Sequence, residues 1–273
     1  MSGIPPSVRR RQAWAVARHE IGRSVFSRRV LPVLLLVGMP LSLAALRALF
    51  LPAGHRVDVG HSTSDFAQMF AVFHLRFVVF FACAVLFTKL FRGEILERTL
   101  HYSLLAPLKR PVLVVGKYVG GLLAAWLVLL PATAATFVLF HLPHGATGAR
   151  QLLSSAGLGH LAAYLGVVAL ACCAYGALFL LAGLYFRNPM VPALLFLGWE
   201  AATPFLPPVL KAVSVVHYLS SLLPVPPSLG PLAVMTQPVD PWAATIGLLA
   251  ATTAFLALAV WKATRLEVTY SAD

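Results

Sequence analysis

Charged residues, and acidic residues above all, are scarce in this chain. Only 11% of the 273 residues are Asp, Glu, Lys or Arg, and 21 basic residues outnumber nine acidic ones. An average soluble domain is about 25% charged, so this scarcity excludes an ordinary water-soluble domain. Hydrophobic residues make up 59% of the chain and are gathered in runs long enough to cross a bilayer. The composition predicts an integral membrane protein.

Cysteines are equally few. Cys83, Cys172 and Cys173 all lie inside apolar runs, with no histidine or further cysteine at metal-ligand spacing. We therefore expect small core side chains at these positions and no metal site.

Motifs for catalysis and nucleotide binding are missing as well. Gly116-Lys117 is preceded by Pro111 where a phosphate-binding loop needs glycine, and it is followed by Tyr118 where that loop needs Ser or Thr. His19-Glu20 has no second histidine at the spacing of a zinc protease. We expect no catalytic residues, no cofactor and no nucleotide site in this chain, which is not expected to be an enzyme.

The apolar runs predict an all-α polytopic membrane protein with six transmembrane helices. At about 1.5 Å per residue, about 20 residues cross the roughly 30 Å hydrocarbon core. The predicted spans are 30–51, 66–87, 112–140, 158–186, 189–205 and 241–261. They form one transmembrane domain, 30–262, which includes a polar segment at 88–117 and an outer segment at 206–240 with short helices, and a tail follows at 263–273.

An interfacial helix is predicted in residues 1–29, ahead of the first span. Trp14, Ala17, Ile21 and Val25 recur at helical spacing among many arginines. Such a helix is either a positively charged anchor on the lipid surface or a surface that contacts a partner.

Basic residues mark one side of the membrane. Loops on that side carry Arg9, Arg10, Arg11, Arg18, Arg23, Arg28, Arg29, Lys89, Arg92, Arg98, Lys109, Arg110, Lys117, Arg187, Lys262 and Arg265, whereas the opposite loops carry only Arg56, Arg150 and Lys211. The positive-inside rule then places both termini in the cytoplasm. Because these cations gather at the ends of apolar runs, we expect contact with the lipid bilayer and no nucleic-acid partner.

The segment from Arg92 to Lys117 combines charge with helical periodicity. Gly93 and Pro107 bound a predicted amphipathic helix. Its polar stripe consists of Glu94, Glu97, Arg98 and His101, and its apolar stripe of Leu96, Leu100 and Leu104. A helix of this kind lies flat on lipid or docks on a protein partner.

Two charges are predicted near the middle of the membrane. Arg76 and Glu200 each lie about ten residues, or roughly 15 Å, into a predicted span. A charge there costs at least about 2.5 kcal/mol, so we expect the two side chains to form a pair. This pair would either lock two helices together or take part in a translocation path.

The polar segment resembles the cytoplasmic region between the second and third spans of ABC-2 type transporter permeases. The matching residues are Glu94 and Glu97, Thr99 and Leu100, Leu104 and Leu105, Pro107, Arg110, Gly116 and Lys117. The N-terminal helix, the six spans and the short helices between spans five and six are similar to that family's layout.

The resemblance implies a transmembrane permease subunit of an ATP-driven exporter, in the bacterial cytoplasmic membrane. The segment would be a coupling helix that docks on a separate cytoplasmic ATPase, with Glu94, Glu97, Arg98, His101 and Arg110 in the contact and Arg110 and Lys117 at the inner headgroups. Two ATPase copies, which use ATP and Mg²⁺, and a second permease copy, identical or related, are implied as partners. A non-transporting scaffold or assembly factor, and a secondary transporter, remain the alternatives.

Overall fold

The structure, a computed structural model, describes residues 6–25, 30–50, 59–96, 109–186, 188, 190–226 and 239–265. All regular secondary structure in these ranges is helical. The α-helices are α1 (Pro6–Val25), α2 (Leu31–Phe50), α3 (Val59–Met69), α4 (Phe80–Leu96), α5 (Arg110–His141), α6 (Gly145–Leu152), α7 (Ser155–Tyr185), α8 (Met190–Ala202), α9 (Pro208–Lys211), α10 (Val215–Ser221) and α11 (Pro241–Thr264).

Five helical stretches are long and apolar enough to cross a membrane. They are Leu31–Phe50, Ser62–Glu94, Arg110–Leu152, Ser155–Tyr185 and Pro241–Thr264. The prediction of an all-helical, multi-pass membrane protein is confirmed at this level. Helix α8, where the fifth of six spans was predicted, has 13 residues and measures about 20 Å, which is shorter than the hydrocarbon core.

The second apolar stretch is longer and less regular than predicted. Between α3 and α4 the backbone forms a π-helix, Phe70–Val79, and the helix then continues to Leu96. The predicted helix start at Gly93 is wrong, because α4 passes through this glycine without a break. A glycine inside a helix costs about 1 kcal/mol, which packing of the surrounding turns can offset.

Helix α7 lies at the centre of the bundle and contacts α4, α5, α10 and α11. Its most apolar stretch is 67% buried, as is that of Ser62–Glu94, whereas the corresponding stretches of α2 and α11 are only 22% buried. A helix that is apolar on all sides is expected in such a central position. Helices α2 and α11 are peripheral and leave apolar side chains exposed.

Contacts at the helix ends fix the relative directions of the long helices. Arg110, at the start of α5, reaches the end of α11, and Lys117 on α5 reaches Glu94 near the end of α4. We call this end of the bundle, with Glu94, Arg110 and the last turn of α11, the basic end. It is the end that charge placement predicts to be cytoplasmic.

Candidate functional site

A fully buried lysine organises the basic end. Lys117 on α5 is 1% exposed. Its Nζ donates to Glu20 Oε1 at 2.6 Å, to Glu94 Oε1 at 2.6 Å and to the Leu90 carbonyl oxygen at 2.9 Å. A lysine ammonium has three N–H donors, and all three have acceptors here. The prediction that Lys117 lies at the inner headgroups is corrected: its charge is held inside the protein.

Arg23 completes the group of charges around Lys117. Its Nη1 donates to Glu94 Oε1 at 3.1 Å, and its side chain is 24% exposed. We call Glu20, Arg23, Glu94 and Lys117 the ionic cluster. It contains two positive and two negative side chains, so its formal charges balance. Balance matters because an uncompensated buried charge destabilises a protein by several kcal/mol.

Helix α1 reaches the ionic cluster because two glycines on α5 let it approach closely. A Cβ at Gly116 would lie 2.9 Å from the Val16 Cβ, and one at Gly120 would lie 2.8 Å from the Ala17 carbonyl oxygen. Small residues four apart on a helix allow this backbone proximity. The contact turns Glu20 toward Lys117, one residue beyond Gly116, and joins α1 to α5.

Helix α1 buries one side against α5. Ala17 and Glu20 are 1% and 3% exposed, while Trp14, which lies on the same apolar stripe as Ala17, is 58% exposed. The contact of Glu20 with Lys117 compensates the buried carboxylate. Whether the exposed side lies on lipid or contacts a partner stays a prediction.

Glu94 was predicted on an outward polar stripe, and this is corrected. Its side chain is 5% exposed and points inward to Lys117 and Arg23. The reason is electrostatic, since Lys117 without Glu94 would leave the cluster with excess positive charge. Glu97, Arg98 and His101 lie outside the described residues, and their role in docking stays a prediction.

Arg110 holds the last helix. Its Nη1 donates to the carbonyl oxygens of Thr264, at 2.7 Å, and Ala263, at 3.2 Å. Carbonyls in the last turn of a helix lack intrahelical partners, and a cation there also complements the helix dipole. Arg110 thus links the start of α5 to the end of α11, and its docking on a partner stays a prediction.

The Arg76–Glu200 pair was predicted as a direct contact, and this is also corrected. Glu200 is 5% exposed and accepts hydrogen bonds from Ser214 Oγ at 2.6 Å and from the backbone N–H groups of Val215 and Val216, both at 3.0 Å. Across the described part of the chain, no nitrogen–oxygen distance of 4.0 Å or less joins Arg76 to Glu200.

Helix α10 explains why Glu200 has these partners. The first N–H groups of a helix lack intrahelical acceptors and carry partial positive charge, so they attract a carboxylate. Ser214 caps the same helix by accepting from the His217 backbone N–H at 3.3 Å. Burial, aided by the charge of Lys211, lowers the pKa of the His217 side chain.

A polar cluster at the opposite end joins three elements. Arg47 Nη2 donates to Asp65 Oδ2 at 2.8 Å and to Ser62 Oγ at 3.2 Å, and Ser62 Oγ lies 2.6 Å from His144 Nε2. The Arg47 guanidinium also lies 4.7 Å from the Phe140 ring centroid. These contacts tie the end of α2 to the start of α3 and to the turn after α5. The Arg47 and His144 contacts were not predicted, because no periodic pattern connects residues so far apart.

Within the described ranges, no group of three or more His, Cys, Asp or Glu side chains is arranged to hold a metal ion. The charges at the basic end join α1, α4 and α5 through the ionic cluster, and α5 and α11 through Arg110.

The sequence matches no protein-family model, and no curated protein is significantly similar to it.

Proposed function

We propose that this chain is the transmembrane permease subunit of an ATP-driven ABC-2 type exporter. The observation that carries the proposal is the ionic cluster together with Arg110. Along the sequence, Glu94 precedes segment 97–108, in which the polar stripe of Glu97, Arg98 and His101 is predicted, and Arg110 and Lys117 follow it. A partner that pushes on this segment would therefore act on Glu94, which is buried, and on Arg110, both of which contact other helices.

The contacts provide a route for mechanical force into the bundle. On one side of the segment, Glu94 contacts Lys117 on α5, and Lys117 contacts Glu20 on α1. On the other side, Arg110 contacts the end of α11. Coupling between distant sites travels through packed side chains and ion-pair networks of this kind. Movement of segment 97–108 would reach α1, α4, α5 and α11 together.

The remaining parts of the assembly follow from the same proposal. Because no nucleotide-binding motif is present, a separate cytoplasmic ATPase subunit, in two copies, supplies the energy and uses ATP and Mg²⁺. In this proposal the chain has six spans and both termini lie in the cytoplasm of a bacterium. The fifth crossing is the stretch at 189–205, and the outer segment at 206–240 follows it. A second permease copy, identical or related, completes the transmembrane part, and substrate moves between the two.

Co-purification with candidate ATPase subunits tests the proposal. We expect Glu97→Arg and Arg98→Glu each to abolish association with the ATPase while thermal unfolding of the permease is unchanged. Arg150→Glu is a matched control, because it reverses an exposed charge at the opposite end. Association that persists in both stripe variants would eliminate the docking surface proposed here.

The two alternative functions give different results. A scaffold or assembly factor would bind its partner whether or not that partner can hydrolyse ATP. Proteoliposomes that contain both proteins would then show no ATP-dependent transport. A secondary transporter would move its substrate without any ATPase and stop when the proton gradient collapses. The proposed permease needs both the ATPase and its hydrolysis.

A further inference from the structure

The side of α1 that faces away from the bundle carries concentrated positive charge around a tryptophan. Arg11, Trp14 and Arg18 are spaced i, i+3 and i+7, so they share one helix face. All three are exposed, and so are Arg10 and His19 beside them. Across the described residues, Arg10, Arg11 and Arg18 form no ion pair with an acidic side chain. We call Arg10, Arg11, Trp14, Arg18 and His19 the cationic face.

The orientation of the cationic face is fixed from the other side of the helix. Ala17 and Glu20 are buried on the side of α1 that packs closely on Gly116 and Gly120 of α5. Glu20 is also the only acidic residue of α1, and Lys117 neutralises it inside the protein. The cationic face therefore presents arginines to its surroundings without a compensating negative charge on the same helix.

The cationic face borders two neighbouring grooves that share Arg11 and Trp14. One is also lined by Arg10, Ala13, Ala17 and Val119, and the other by Ala15, Arg18, His19, Gly22 and Arg23. Guanidinium groups bind phosphate through paired N–H donors, and tryptophan favours the depth of the headgroups in a bilayer. A groove of this composition suits a molecule with an anionic phosphate head beside an apolar body.

We propose that the cationic face of α1 binds anionic phospholipid, with the lipid phosphate at Arg11 and Arg18 and Trp14 at the level of the headgroups. Charge complementarity selects this occupant, since the face has only positive charges and the inner surface of a membrane carries anionic lipids. The proposal does not depend on the transport function. It gives α1 two distinct faces, one held by the ionic cluster and one held by lipid.

Native mass spectrometry of the full-length protein in detergent, titrated with dioleoylphosphatidylglycerol, measures this binding. An arginine near an anionic surface contributes about fivefold in affinity, so R11Q/R18Q should weaken binding of the first lipid about 25-fold. R150Q removes an exposed arginine at the opposite end and should change the affinity less than twofold. Phosphatidylcholine should bind no more weakly to R11Q/R18Q than to the wild type.

Unchanged phosphatidylglycerol affinity in R11Q/R18Q would overturn the proposal, and so would equal affinities for the two lipids in the wild-type protein. Complete displacement of the lipid by inorganic phosphate would show that a free anion is the ligand instead. A polyglutamate peptide that binds through the same two arginines more tightly than the lipid would assign the face to an acidic protein. Matching thermal unfolding midpoints for R11Q/R18Q and the wild type establish that the variant is folded.

Discussion

Replacing Lys117 with methionine removes the charge at the centre of the ionic cluster. The two acceptor oxygens, on Glu20 and Glu94, are each 2.6 Å from Lys117 Nζ, so they lie at most about 5 Å apart. Both glutamates are almost fully buried, and without Lys117 the ionic cluster keeps two negative side chains and one positive one, Arg23, which contacts Glu94. Removing one partner from a buried ion pair costs about 3–5 kcal/mol, and we expect a loss of stability in this range for Lys117→Met.

A triple variant separates loss of charge balance from loss of packing. Lys117→Met combined with Glu20→Gln and Glu94→Gln removes the buried charges along with their partner and keeps side chains of similar size. Replacing a whole buried ionic group with neutral residues is often tolerated, so the triple variant should recover most of the lost stability.

Thermal unfolding in detergent can be followed with a thiol-reactive dye. Cys83 and Cys172 are free and buried, so they react when the bundle opens. The expected order of unfolding midpoints is wild type, then the triple variant, then Lys117→Met. A Lys117→Met midpoint equal to that of the wild type, or equal to that of the triple variant, would refute the argument that charge balance stabilises the cluster.

Three other substitutions test separate contacts. Gly120→Leu should detach α1 and lower the unfolding midpoint, because even a Cβ at this position would lie 2.8 Å from the Ala17 carbonyl oxygen. Gly166→Leu is the control and should leave the midpoint unchanged, because a Cβ at Gly166 meets open space. Glu200→Ala should destabilise the protein more than Arg76→Gln, because Glu200 accepts hydrogen bonds from Ser214, Val215 and Val216. Each buried donor left without an acceptor costs about 1–3 kcal/mol. Equal losses of stability in thermal unfolding would favour the direct Arg76–Glu200 pair. Arg110→Ala should make the chain beyond α11 more sensitive to protease in membrane vesicles, because the carbonyl groups of Ala263 and Thr264 lose the Arg110 donor. Unchanged cleavage would show that this contact is dispensable.

Composition and periodicity predicted the helical class and most of the long helices. The runs around α2, α5, α7 and α11 are continuous and apolar, so the helices lie close to their predicted positions. Prediction was weaker where helix geometry is irregular. Depths for Arg76 and Glu200 were counted along straight helices, whereas the structure has a π-helix at Phe70–Val79 and a 13-residue α8.

The partners of the charged side chains could not be predicted, for a physical reason. Helical periodicity reports which residues share a face, but not which face is buried when it carries a charge. Glu20 and Lys117 are 97 positions apart, and each compensates the buried charge of the other. The glycines at 116 and 120 have the four-residue spacing that allows close helix packing, yet that spacing does not identify α1 as the helix that packs there.

The central claim is that segment 97–108 is the place where an ATPase partner engages the transmembrane bundle. Site-specific cross-linking in membranes tests it most directly, with a cysteine introduced as His101→Cys and a control cysteine as Arg150→Cys. The account predicts a cross-link to the ATPase subunit from position 101 that changes in yield when ATP is added, and none from position 150. Absence of the cross-link at position 101, in membranes where the two proteins still co-purify, would contradict the account.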